Sequence, residues 1–145
     1  IRKRTADGKD NSFPRSLILL LEQAVEGEKN YSKEYSDQRI LRPKSLIDAL
    51  PEVSKQRVDE VCNEYPELEA LLKKLRGERS PIDEKQLTKI GNINGTKLNA
   101  RLQEMIDAGI FKEYSRRKNV PPDVRVYSVA ELYLYGLGMT RKGRR

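Results

Sequence analysis

The sequence predicts a mostly α fold: a helical N-terminal segment, then a helix-turn-helix unit closed by a small β-hairpin. Three observations carry this. Apolar residues recur at helical spacing through much of the first half. Two further periodic stretches flank the turn Gly91-Asn92-Ile93-Asn94-Gly95, an arrangement of two helices and a tight Gly-containing connection. After them come two short runs of β-branched and aromatic residues separated by a basic, Pro-containing loop.

Taken in order, Ser12-Phe13-Pro14-Arg15-Ser16 reads as a helix start, with Ser12 as cap and Pro14 in the first turn, where a missing N–H is not needed. Leu17, Ile18, Leu20, Leu21, Ala24 and Val25 follow at helical spacing as far as Gly27, and polar residues 28–38 read as a loop or frayed end. A second helix is expected from Pro43 to just before Pro51, and a third, capped by Ser54, carries Val58, Val61 and Cys62. Tyr65-Pro66 breaks that pattern before Leu68, Leu71, Leu72 and Leu75 form a fourth helix, which Gly77 closes. The paired helices run over residues 83–90 and 96–108, the second bearing Leu98, Leu102, Met105 and Ile106 and ending at Gly109. Residues 110–114 and 124–129 are strands, 130–137 a short closing helix and 138–145 a basic tail.

A chain of 145 residues accommodates one domain or two small ones, since domains commonly hold ~100–200 residues. It has no His and a single Cys, Cys62, which excludes His-based general-base chemistry, Cys/His zinc sites and an internal disulfide framework. No metal site is expected. The longest apolar run, from Leu17 to Leu21, is far below the ~20 residues that cross a bilayer. The basic start Ile1-Arg2-Lys3-Arg4 leads into Asp7, Lys9 and Asp10, not into an apolar stretch, so no secretory signal is read and a cytoplasmic protein without membrane contact is expected. The chain opens on Ile instead of Met, and its first ten residues have no pattern that packs alone, so it is expected to be a piece of a longer polypeptide.

The order helix, helix, strand, basic loop, strand, with Leu98-x-x-x-Leu102-x-x-Met105-Ile106-x-x-Gly109-Ile110-Phe111, resembles the winged-helix family over about residues 67–137. In that family the second helix of the pair enters the major groove and the hairpin loop lies against phosphate or the minor groove. The resemblance therefore implies contacts to DNA from Asn94, Thr96, Lys97, Asn99, Arg101 and Gln103, whose amide and guanidinium groups suit adenine and guanine edges. Lys97 and Arg101, four residues apart, are expected to point outward together, away from Leu98 and Leu102.

Charge agrees with that reading. The chain carries a formal +7, and residues 111–145 hold nine basic groups against Glu113, Asp123 and Glu131, net +6. Arg116, Arg117 and Lys118 in the loop, Arg125 in the second strand, and Arg141 and Lys142 in the tail are candidate phosphate contacts, which would make affinity sensitive to salt. Residues 48–70 carry the opposite charge, net −5, and should not face a polyanion. Tyr31, Tyr35, Tyr133 and Tyr135 are candidates for stacking on bases.

Phe13-Pro14-Arg15-Ser16-Leu17-Ile18-x-Leu20-Leu21-x-x-Ala24 resembles the start of the lid-helix segment of AAA-like and STAND-like P-loop ATPases. Arg42-Pro43-Lys44-Ser45-Leu46-Ile47-x-Ala49-Leu50 and Glu64-Tyr65-Pro66-Glu67-Leu68 are similar to the region after the ATPase core in bacterial members that end in a winged helix. The resemblance implies that Arg15 matches the lid arginine near the nucleotide's terminal phosphate. No Gly-x-x-x-x-Gly-Lys-Ser/Thr occurs, so the chain has no phosphate-cradling loop and no catalytic residues or cofactor of its own; ATP and Mg²⁺ would belong to the full-length protein.

Together these features predict a lid-like helical segment over residues 1–65 and a winged-helix domain with a basic tail over residues 66–145. The function expected is a non-catalytic, double-stranded DNA-binding module joined to an upstream ATPase core in the same chain, with a homo-oligomer allowed. The alternative is a regulatory or oligomerising region that docks on the ATPase core or on a partner protein.

Overall fold

The computed structural model describes residues 4–31, 41–114 and 124–143. Among these the fold is mostly α, with six α-helices and a few short strands in two small sheets. Helix α1 (Pro14–Tyr31) lies antiparallel to α2 (Pro43–Glu64): Arg15 reaches Glu60 at one end, and Arg42 and Ser45 reach Glu28 at the other. A 3-10 turn (Pro66–Leu68) leads into α3 (Glu69–Lys74). Then come β1 (Arg79–Ser80), β2 (Ile82–Asp83), α4 (Glu84–Gly91), α5 (Gly95–Asp107), β3 (Phe111–Glu113), β4 (Val126–Val129), α6 (Glu131–Leu137) and β5 (Thr140–Arg141).

Four expectations about the first half change. Helix α1 runs through Gly27, and the Ser12 hydroxyl is buried without a hydrogen-bond partner, so it does not cap; the first intrahelical bond is accepted by Phe13 O from Leu17 N. The expected second and third helices are one helix, with Pro51 inside it. A proline in mid-helix costs about 3 kcal/mol. Here Leu50, Val53 and Val61 are buried along the same helix, each contributing ~1.5–3 kcal/mol, so packing outweighs the lost donor. Ser54, expected as a cap, sits in mid-helix and accepts a hydrogen bond from Gly136 N in α6.

The second half follows the sequence reading more closely. A three-stranded antiparallel sheet has the order β2-β4-β3, with Phe111 opposite Val129 and Ile82 opposite Tyr127. β1 and β2 are absent from the sequence reading because two-residue strands leave no alternation to detect. Part of the expected tail is a strand: β5 pairs in parallel with β1.

One apolar core joins both halves, from Leu20 and Ala24 of α1 to Leu132, Tyr133 and Met139 near the end of the chain. The most extensive helix contact is between α2 and α6, so the core continues across residue 65. Residues 6–12, which have no packing pattern by themselves, are held from outside. Gly8 N donates to Gly109 O, Lys9 Nζ donates to Asp107 O at 2.8 Å, and Asp7 is buried.

Candidate nucleic-acid interface

Helix α4 begins with a capping box: Asp83 Oδ1 accepts from Gln86 N at 2.8 Å, and Gln86 Oε1 accepts from Asp83 N at 3.2 Å. It ends on Asn92 in the left-handed region at φ 53, which turns the chain toward α5. Asn94 occupies the N-cap of α5 with no side-chain capping bond, so its exposed amide is not consumed by the helix.

Leu98, Leu102 and Met105 point α5 into the core. At ~100° per residue the opposite face is centred on Thr96, Ala100 and Gln103, all exposed, with Asn99 on one flank and Lys97 on the other. Gln103 Nε2 donates to Asp107 Oδ1 at 3.0 Å. The outward face is thus polar, and the exposed carboxylate of Asp107 lies at its C-terminal end in line with Thr96 and Ala100.

Arg101 departs from expectation. Its side chain is only 13% exposed, donating from Nη1 to Glu104 Oε2 at 2.6 Å and from Nη2 to Glu67 of the 3-10 turn. Lys97 and Arg101, one turn apart, do share a side of α5, but that side turns toward the 3-10 turn. Lys97 stays exposed while Arg101 is folded between two carboxylates, so it is not an outward-facing cation. Glu67, one of the acids expected to stay clear of the interface, therefore touches the helix that carries it.

Arg125, 54% exposed, brings the hairpin to α5. Its Nε pairs with Glu84 Oε1 at 2.7 Å, and its Nη2 donates to Asn99 Oδ1 at 3.4 Å. The same Glu84 oxygen accepts from Tyr127 Oη at 3.3 Å. Tyr127 is buried and stacked on Phe111 with ring centroids 5.6 Å apart. Burial pushes its hydroxyl up to about 12, the Glu84 carboxylate adding to the effect against the opposing charge of Arg125. Glu84 thus links α4, β4 and, through Arg125, α5.

The other candidates are scattered. Arg116, Arg117, Lys118 and Tyr35 lie outside the described residues. Arg141 pairs with Glu131 at 2.9 Å, and Lys142 is exposed just beyond β5. Tyr133 is fully buried and donates to Ala108 O at 3.1 Å, which removes it as a stacking platform; Tyr31 lies under Arg42 and Lys44, and Tyr135 is 51% exposed. Arg15 is 81% exposed at the first turn of α1, 3.8 Å from Glu60. Beside it Arg57 covers the Phe13 ring at 4.0 Å and pairs with Glu60 at 2.8 Å. Burial pushes the Cys62 thiol up, away from a reactive thiolate.

Sequence reasoning missed Ala100, the small residue at the centre of the α5 face, and the two acids Glu84 and Glu67. Helical phase is enough to find Ala100; the ion pairs of the acids span 41 and 34 residues of sequence and leave no local signal. Among the described residues no cluster of His, Cys, Asp and Glu is arranged to hold a metal ion, and no helix is long and apolar enough to cross a membrane. No protein-family model matches the chain, and no curated protein or solved structure matches it either.

Proposed function

We propose that residues 66–145 form a winged-helix domain with a basic tail that binds double-stranded DNA through α5 and the β3–β4 hairpin, as the non-catalytic module of a larger P-loop ATPase. The observation that carries this reading is the corner at Asn99. There the outward face of α5, with Thr96, Ala100 and Gln103 free of bulky apolar groups, is joined to a hairpin arginine 3.4 Å away. Helix α5 supplies amide groups for base edges and the hairpin supplies positive charge for phosphate. Element order and the sheet order β2-β4-β3 support the fold assignment.

The lid-like role of residues 1–65 rests on the Pro14-Arg15 start and on the exposure of Arg15, which leaves its guanidinium accessible to an ATP phosphate in the full-length protein. Cytoplasmic location and an upstream ATPase core in the same chain belong to the same proposal. A second reading, docking on a partner protein or on that core, is favoured by one observation: Ile18, Leu21 and Val25 form an exposed apolar stripe along α1.

The test is duplex-DNA titration across salt concentrations with three variants: Lys97→Ala with Asn99→Ala; Arg125→Ala; and Arg116, Arg117 and Lys118 all changed to Ala. The first should alter preference among sequences and, through Lys97, lower the salt slope by ~0.9, and the other two should weaken binding to all sequences alike and flatten the salt dependence. If every folded variant binds as the parent does, the protein-docking reading replaces this one.

A further inference from the structure

Sequence alone assigns the tail's cations to the same basic patch as the hairpin loop. The tertiary structure gathers Arg141 and Lys142 of the tail at a different strand pair from Arg125. Strand β4 pairs at its first residues with β2, and Arg125, just before it, lies beside α5. At its other end Val129 N donates to Ser80 Oγ at 2.9 Å, which anchors β1 at the base of the hairpin. Four residues of strand, ~13 Å at ~3.3 Å each, lie between the two places.

At that base β1 and β5 run parallel, with Arg79 opposite Thr140 and Ser80 opposite Arg141, and Lys142 N extends the ladder by donating to Ser80 O at 2.9 Å. Ser80 is buried, whereas Arg79, Thr140, Arg141 and Lys142 are exposed. Alternation along the strands puts Arg79 and Lys142 on one face of the pair and Arg141 on the other. On that second face Arg141 and Arg4 line a common cavity of about 290 Å³. Four cations from three distant parts of the sequence therefore surround one two-stranded ribbon. The acids beside them are Glu78, half-buried, and Glu131, which engages Arg141. Arg4, Arg79 and Lys142 have no ion-pair partner among the described residues. An exposed pair such as Arg141–Glu131 contributes only ~0–1 kcal/mol, so phosphate competes with it readily.

We infer that the β1–β5 ribbon is a second phosphate-binding surface, separate from the α5 face, and that it contacts the backbone of the same nucleic acid. Arginine suits this task, because its planar fork matches phosphate oxygens and it stays charged at every physiological pH. Contacts of this kind carry no sequence information. They add salt-dependent affinity and hold the duplex in register against α5.

The inference rests on the nucleic-acid reading above, and its test keeps the two apart. The probe is a duplex of ~30 base pairs, about three helical turns, titrated against the parent and against Arg79→Ala with Arg141→Ala and Lys142→Ala. Loss of Arg79 and Lys142, which share a face, should lower the slope of log affinity against log salt by about 1.8, with loss of Arg141 adding to this only where phosphate also reaches the other face, and with sequence preference unchanged. Arg79→Lys with Arg141→Lys should keep most of the slope, a rescue that a merely structural role would not produce, and circular dichroism with a melting curve confirms the fold of each variant. An unchanged slope in the folded triple variant overturns the inference, and so does an unchanged slope accompanied by lost binding to phosphatidylserine vesicles, which would assign the ribbon to a membrane surface. If the parent binds no duplex at all, the proposed function fails. The ribbon is then judged with inorganic polyphosphate: binding that the triple variant loses supports a phosphate surface, and no binding by the parent overturns it.

Discussion

The hydroxyl of Ser54 in α2 accepts a hydrogen bond from the backbone N–H of Gly136 in α6 at 2.7 Å, at a crossing too close for any side chain on residue 136. A Cβ there would stand 2.6 Å from Ser54 O and 2.8 Å from Val58 Cγ2. This contact joins the N-terminal helical pair to the end of the chain.

Gly136→Ala should destabilise the protein by about 2–3 kcal/mol, the range for overpacking a close contact that backbone on one side cannot relieve. Ser54→Ala should cost ~1–2 kcal/mol, since it removes the acceptor of a part-buried N–H without creating a clash. Urea denaturation of both variants checks the order; equal stability to the parent in Gly136→Ala would mean that the helices do not cross this closely in solution.

Lys97 and Arg101 should behave differently although they lie one turn apart. Arg101→Ala should lower stability by ~1 kcal/mol by freeing Glu67 and Glu104, whereas Lys97→Ala should leave the melting temperature unchanged and reduce the salt slope of DNA binding by ~0.9. Thermal melts paired with salt titrations separate the two. A salt-slope loss in Arg101→Ala as large as in Lys97→Ala would show that Arg101 leaves its carboxylates to meet phosphate.

Tyr127 sets a pH limit on the hairpin corner. Its folded pKa of about 12 lies above the ordinary ~10, so between those values the unfolded chain gives up a proton that the folded protein keeps. Stability from this group is complete below ~pH 10 and falls as pH rises through the folded value. Tyr127→Phe should lose that alkaline slope while retaining the stacking on Phe111. Denaturant midpoints at about pH 9 and about pH 11 test it, and an equal alkaline loss in parent and variant would assign the slope to another group.

Gly109 is the socket for the N-terminal segment. Its φ of 72 favours glycine, and a Cβ there would meet Asp7 Cβ at 2.8 Å. Gly109→Ala should release residues 5–12 as well as strain the end of α5. Hydrogen exchange at Asp7 and Asn11, whose N–H groups are bonded within this segment, should accelerate in Gly109→Ala. Protection equal to the parent's would show that the segment docks without this contact.

Sequence by itself determined the order of helices from α3 onward, the turn at Asn92, the apolar seam of Leu98, Leu102 and Met105, and the hairpin strands. Each is written in neighbouring residues: a capping box, a left-handed turn position, a repeat of three or four, an alternation of two. Tertiary structure alone decided that α2 passes through Pro51, that Arg101 is spent on Glu67 and Glu104, that Arg125 meets Asn99, and that Arg141 of the tail lies beside β1. The physical reason is shared. Each of these outcomes depends on burial or charge supplied from a distant part of the chain, and a local propensity such as proline's ~3 kcal/mol cost in mid-helix yields when several buried side chains oppose it.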